Sequence, residues 1–325
     1  MVYFYIISVV IVVFSLLGIF GNLNIIWATC RKKHFRGKHG LLLANLAVHQ
    51  LICLTWQWVN LTYSLHHQTV MQDHCYTLIF PYIFAVCAQA MMYLVITGDL
   101  LAAILIPLRH HFINNYTYVF AVSVPVWIYS AVVTIWGAID VEHKEIVFCN
   151  PTLSINGTAH IFWLHTNLAN VIFVIVLHVV AWQALKRKFK RCASVSQPSI
   201  VSRTSTDATM ARQPSSIRRV VWKDQRRAMR SLSVHLVLFF LSWGIAVVGI
   251  ELFDDLVYMW LPSCRTREII NSYMVFFALL CYSQSYYILL WRAPDYSAAF
   301  KEQFRMLLRC RGHTPPPTVE YVSRH

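Results

Sequence analysis

The sequence predicts an all-α integral membrane protein: a bundle of seven transmembrane helices followed by a short amphipathic helix. Three observations carry that expectation. Of 325 residues 57% are hydrophobic and only 13% charged, whereas a soluble domain carries about a quarter charged residues. Seven apolar stretches are long enough to cross a hydrocarbon layer of about 30 Å. The basic residues crowd into alternate connecting segments. Backbone polar groups cannot go unpaired in lipid, so helix is the spanning form. The net charge of +14, from 28 Lys and Arg against 14 Asp and Glu, is read as basic membrane-protein loops. Nucleic-acid binding is not expected, because the spans leave little soluble surface for such a site.

Each span follows from a gap in the charges. The first covers about 3–29, the second 40–64, and the third 76–105, broken only by Asp99. The fourth covers 117–138, the fifth 160–185, the sixth 231–253 and the seventh 269–291. Span one has no basic residue before it and several after it, so it reads as a span and not a cleaved leader. The segments after spans one, three, five and seven hold 25 of the 28 Lys and Arg, leaving Lys144, Arg265 and Arg267 on the other side. The positive-inside rule makes the basic side cytoplasmic. The N-terminus is then extracellular, the C-terminus cytoplasmic, and the expected location is the plasma membrane. Asp73, Asp140, Glu142, Glu145, Glu251, Asp254, Asp255 and Glu268 lie outside or at the outer rim.

Most connections are short, which favours one bundle in residues 1–308. The exception runs from Lys186 to Arg230. Its centre, 193–216, is rich in Ser, Thr, Gln and Pro and is expected to be disordered, because it cannot bury enough surface to offset its ordering entropy. Phosphorylation of Thr204, Ser205, Ser215 or Ser216 would place negative charge beside neighbouring arginines. Residues 218–230, with Arg226, Arg227 and Arg230, read as a basic helical extension of span six. After span seven, Tyr296, Phe300 and Phe304 alternate with Lys301 and Arg305, a pattern for a membrane-surface helix over 294–308. Cys310 follows it and is a palmitoylation candidate. The tail, 309–325, is expected to be disordered.

Nine cysteines are present. Cys30, Cys53, Cys87 and Cys281 fall in or at the ends of spans and read as packing residues. Cys192 and Cys310 fall on the cytoplasmic side, where disulfides are rare. Cys75, Cys149 and Cys264 fall outside. A Cys75–Cys149 bond is expected, pinning the second outer loop over the mouth of the bundle, with Cys264 left over. Asn156-Gly157-Thr158 is an outer-loop glycosylation sequon. Asn115-Tyr116-Thr117 lies on the cytoplasmic side and should stay bare.

The seven spans, the outward N-terminus and the cysteine pair resemble rhodopsin-like G-protein-coupled receptors. Short motifs strengthen the resemblance over about 8–308: Gly21-Asn22; Leu43-Ala44-Asn45-Leu46-Ala47; Asp99, then Ala103-Ile104 and Pro107-Leu108; Trp127; Phe239 with Trp243; and Trp291-Arg292-Ala293-Pro294-Asp295-Tyr296 with Phe300. The endings Trp291-Arg292-x-x-Asp295-Tyr296 and Leu108-Arg109-His110-His111 are most similar to nematode serpentine chemoreceptors of the SX class. The resemblance implies a sensory or neuropeptide-type receptor with a small-molecule or peptide ligand and a heterotrimeric G protein as partner. No cofactor, metal or catalytic group is expected. The alternative is a seven-span transporter or ligand-gated channel without G-protein coupling.

Several positions depart from that family. Gln50 stands where a buried aspartate binds sodium. Leu100 replaces the arginine of Asp-Arg-Tyr, so Asp99 must face water, pair with Arg109 or another inner-loop base, or be protonated. Ile245 replaces the proline after Trp243, and Ser285-Tyr286-Tyr287-Ile288-Leu289 replaces Asn-Pro-x-x-Tyr. The expected G-protein-facing set is Asp99, Leu100, Pro107, Arg109, Arg226, Arg227 and Arg230. On the outer half, Tyr82 stands where amine receptors carry aspartate, which disfavours a biogenic amine because its ammonium would lack a counter-ion. Span seven has no lysine for a retinal Schiff base. Candidate ligand contacts are Trp56, Gln57, Tyr82, Val86, Gln89, His165, Asn167, Trp243, Met274 and Phe277, a mostly apolar and aromatic set with a few amides. The acidic rim of Glu251, Asp254 and Asp255 is a second feature, suited to a basic peptide.

Overall fold

A computed structural model of the chain describes residues 2–66, 69–146, 148–195, 233–249 and 274–309. The apolar stretches form long helices: α1 (Val2–Arg31), α2 (Lys38–His66), α3 (Gln72–Leu105), α5 (Asn115–Ile139) and α7 (Gly157–Val195). Two short helices intervene, α4 (Pro107–Phe112) and α6 (Pro151–Ser154), each with proline in its first turn where the missing N–H costs nothing. The described remainder of the bundle is α8 (Ser233–Gly249) and α9 (Val275–Arg292), followed by α10 (Pro294–Arg309). Five of these, α1, α2, α3, α5 and α7, are long and apolar enough to cross a membrane, and α8 is a shorter apolar helix. Glu251, Asp254, Asp255, Cys264, Arg226, Arg227, Arg230 and Cys310 lie outside the described residues, as do 196–216 and the tail beyond Arg309.

The outward faces are apolar. Ile128, Ile135 and Phe173 are each at least 60% exposed, and Leu16, Leu17, Phe20, Ile161 and Val176 share that orientation. A surface with so many exposed large apolar side chains belongs against lipid. The inward faces meet around α3, which packs on α2, α5 and α7, while α1 packs on α2 and α9. Gly21 permits that last approach: a Cβ there would lie 2.6 Å from the Tyr286 Cβ. Gly21→Leu is therefore expected to part α1 from α9 and cost about 1–3 kcal/mol, read as a lower midpoint of thermal unfolding in micelles. An unchanged midpoint would contradict the close contact.

At one end the connection between α5 and α7 is stitched onto the start of α3. Cys75 is bonded to Cys149. Strand β1 (Val70–Met71) pairs antiparallel with β2 (Glu145–Ile146), Val70 opposite Ile146 and Met71 opposite Glu145. The Gln72 amide donates to the carbonyls of Leu153 and Ser154, and its Oε1 accepts from Glu142 N–H. The Asp140 carboxylate accepts from the Thr158 hydroxyl and the Ala159 N–H at the start of α7. There it satisfies a donor at a positive helix end. Those hydrogen bonds hold the Asp140 carboxyl below its ordinary range. A depressed carboxylate pKa stabilises the fold above the unfolded value, and this contribution is lost only as acid titrates through the lowered folded one.

At the opposite, basic end, α10 returns against α1. Glu302 pairs with Lys32, and Arg31 lies 3.7 Å from the same carboxylate. Phe35 stacks on Tyr296, and Phe300 packs on Tyr286, so the buried face of α10 closes the bundle there. Phe304 and Leu308 remain exposed, as a helix lying on a membrane surface requires.

Candidate functional site

A narrow cleft, open at its mouth, lies at the disulfide end. Tyr82 and Val86 of α3, Trp163 of α7, Trp243 and Val247 of α8, and Met274, Ala278 and Tyr282 from the start of α9 form its walls. Asn150, Pro151 and Thr152 form the side nearest the disulfide. The walls are held by polar contacts behind them. Gln57 donates to the Tyr82 hydroxyl at 2.5 Å, and that hydroxyl lies 3.4 Å from the Tyr282 hydroxyl. The Trp243 indole N–H donates to Asn167 Oδ1 at 3.2 Å. Asn167 in turn donates to the carbonyl of Trp163. Four aromatic rings with their polar atoms largely engaged present a rigid apolar surface, the usual character of a small-molecule site.

Below the cleft a buried polar cluster joins four helices. The Gln50 amide donates to the Tyr93 hydroxyl and to the Cys281 carbonyl, each at 3.2 Å. Its Oε1 accepts from Ser285 at 2.9 Å. His235 Nε2 lies 3.1 Å from the Ser285 hydroxyl and 3.3 Å from that of Tyr93. Tyr93 also stacks on Phe239, ring centres 3.9 Å apart. Buried polar groups this well paired fix the mutual register of helices. Between the cluster and the cleft, α8 widens into a π turn over Phe240–Gly244. Such turns recur at functional sites and bend helices without proline.

At the basic end Asp99 is 4% exposed, and its Oδ1 lies 2.7 Å from His110 Nε2 of α4. His110 also packs edge-on against Tyr118 of α5, whose ring carries Lys38 at 5.1 Å. The Lys38 ammonium contacts the His110 carbonyl. The Lys188 ammonium of α7 contacts the carbonyl of Ile104, capping the negative end of α3. Among the described residues no group of three or more His, Cys, Asp or Glu is arranged to hold a metal.

The family model for the serpentine type 7TM GPCR chemoreceptor Srsx matches residues 15–304. The chain belongs to that family. No individual curated protein matches it. The Srsx match runs from α1 into α10 and makes the protein a multi-pass membrane chemoreceptor by family.

Within this Srsx bundle the sequence candidates separate into distinct groups. Tyr82, Val86, Trp243 and Met274 line the cleft. Gln57 and Asn167 are buried behind it and hold Tyr82 and Trp243. Gln89 is fully buried outside the lining, and Phe277 is half-buried beside Phe276. His165 is exposed on the outward face of α7, its Nδ1 against the Ile161 carbonyl. Trp56 donates to the Leu78 carbonyl and does not reach the cleft. Residues 165 and 163 are two positions apart, so one faces outward where the other faces the bundle. Asn156, the sequon residue, is half-buried just ahead of α7. At the basic end Leu100 is buried and Pro107 exposed. Arg109 lies in α4, its side chain outside the described set. Among the described residues Asp99 pairs with His110. Sequence reading missed Asn150, Trp163 and Tyr282, and covered His110 only as an unnamed inner-loop base for Asp99. The signal for Asn150 was its place next to Cys149, which fixes it at the cleft mouth.

Proposed function

We propose that this chain is a cell-surface chemosensory receptor that takes its ligand in the cleft and signals to a heterotrimeric G protein. In this reading the disulfide end faces outward and the basic end the cytoplasm, which the distribution of Lys and Arg supports. One observation supports this reading above the rest. The same two helices, α8 and α9, carry both the cleft wall and the polar cluster. Trp243 packs on Tyr282, and one turn below it Phe239 stacks on Tyr93 beside His235. Tyr93 and Asp99 share α3, about 9 Å apart along its axis. A ligand that shifts Trp243 therefore shifts α8 against α3, and the π turn gives α8 room to move. G-protein contact falls to Pro107, Arg109, Arg226, Arg227 and Arg230, since Leu100 offers no guanidinium. Asn156 is the outer glycan site and Cys310 the inner lipid site in this arrangement.

The test is nucleotide exchange on each class of Gα subunit in membranes carrying the full chain. Exchange above that of membranes without the chain is expected for at least one class. Leu100→Arg is expected to lower it, because the new guanidinium competes with His110 for Asp99. Equal exchange with and without the chain for every class would contradict G-protein coupling.

A further inference from the structure

The polar atoms around the cleft are unequally engaged. Asn150 is 1% exposed and lines the cleft. Its Oδ1 accepts from Leu153 N–H at 3.0 Å and from the Thr152 hydroxyl at 2.9 Å. Those two donors fix the orientation of the amide, because only an oxygen can accept them. Its Nδ2 has no hydrogen-bond partner among the described residues. A buried amide nitrogen left unpaired costs about 1–3 kcal/mol, so the position is costly unless something fills it. Three other lining residues are occupied: Tyr82 by Gln57 and Tyr282, Trp243 by Asn167, Thr152 by Asn150 itself. The indole N–H of Trp163, beside the Cys87 thiol, is a second buried donor without a hydrogen-bond partner among the described residues.

Asn150 is also held still. Cys149 ties the preceding residue to α3, and the Asn150 carbonyl accepts from the Leu153 and Ser154 N–H groups. A donor fixed in this way loses little entropy on meeting a ligand. We propose that the cleft takes a small, uncharged molecule with a flat apolar body and one hydrogen-bond acceptor, a carbonyl, ester or ether oxygen that binds Asn150 Nδ2. The aromatic rings of Trp163, Trp243, Tyr82 and Tyr282 hold the body, and the amide sets its direction. The proposal rests on the receptor reading, which makes the cleft the ligand site.

The test uses the full chain in nanodiscs, with empty nanodiscs as the partition control. Three probes of one shape are titrated: acetophenone, with a carbonyl acceptor; ethylbenzene, without one; and 1-phenylethylamine, an ammonium. Acetophenone is expected to bind about tenfold more tightly than ethylbenzene, the ratio one net hydrogen bond supplies. Asn150→Asp keeps the oxygen that serves Leu153 and removes the donor. It is expected to abolish the preference for acetophenone and to raise affinity for the ammonium. If that variant does not fold, Asn150→Ser, whose Oγ keeps an acceptor for Leu153 but ends one bond short of the Nδ2 position, is expected to lose the same preference. Equal binding of acetophenone and ethylbenzene to wild type, or no binding of any probe, overturns the proposal. Nucleotide exchange separates the two readings: exchange without an acetophenone preference removes only the ligand class. A preference without exchange removes only the coupling.

Discussion

His110→Ala is expected to destabilise the protein by about 3 kcal/mol, because it removes the imidazole paired with a buried carboxylate and leaves that charge to the Tyr118 hydroxyl. Asp99 sits at the basic end of the bundle, 4% exposed, with His110 Nε2 at 2.7 Å. No adjacent arginine can replace the imidazole, since the next residue is Leu100. Lys38 cannot easily take over, because its ammonium is held by the His110 carbonyl and the Tyr118 ring. Loss of the pair should also free α4, which carries Pro107 and Arg109. Asp99→Asn in the His110→Ala background removes the stranded charge and should recover most of the stability. The check is a double-mutant cycle in thermal unfolding of the purified chain. Additive losses would show that the two side chains do not act as a pair.

Cys75→Ser with Cys149→Ser is expected to cost about 4 kcal/mol in the chain-entropy account, given the long loop that the bond closes. The bonded cysteines are separated by 74 residues. The β1–β2 pairing is only two residues long on each side, and the remaining clamp is Gln72 with two exposed side-chain contacts, His143 to Asp73 and Thr69 to Glu145. Asn150 would then drift from the cleft, so ligand binding should fall with stability. Surface delivery of tagged protein and its melting midpoint both report the change. Full surface delivery with wild-type melting would show that the hairpin and Gln72 suffice.

Much of this arrangement was legible in the sequence because lipid imposes simple demands. A helix that crosses it must be long, apolar and nearly uncharged, and α1, α3 and α5 meet those terms with only Arg31, Asp73 and Asp99 among them. The disulfide was legible because few cysteines fell on the outer side. Less visible was the facing of single side chains. Adjacent helical residues differ in direction by about 100°, so the pairing of His110 with Asp99 needed the position of α4 against α3. The same geometry turns His165 outward while Trp163 faces the cleft. The β1–β2 pairing and α6 are too short to leave a periodic pattern. The π turn at Phe240–Gly244 follows from packing against neighbouring helices and has no signature of its own, although Ile245 in a proline position marked α8 as unusual.

A seven-span receptor with its cleft outward places the first residues of α1 outside the cell and α10 inside. An epitope tag placed ahead of residue 2, stained on intact and on permeabilised cells, measures this directly. The account predicts full staining of intact cells. Staining only after permeabilisation would invert the molecule, turn the cleft toward the cytoplasm and contradict the receptor reading.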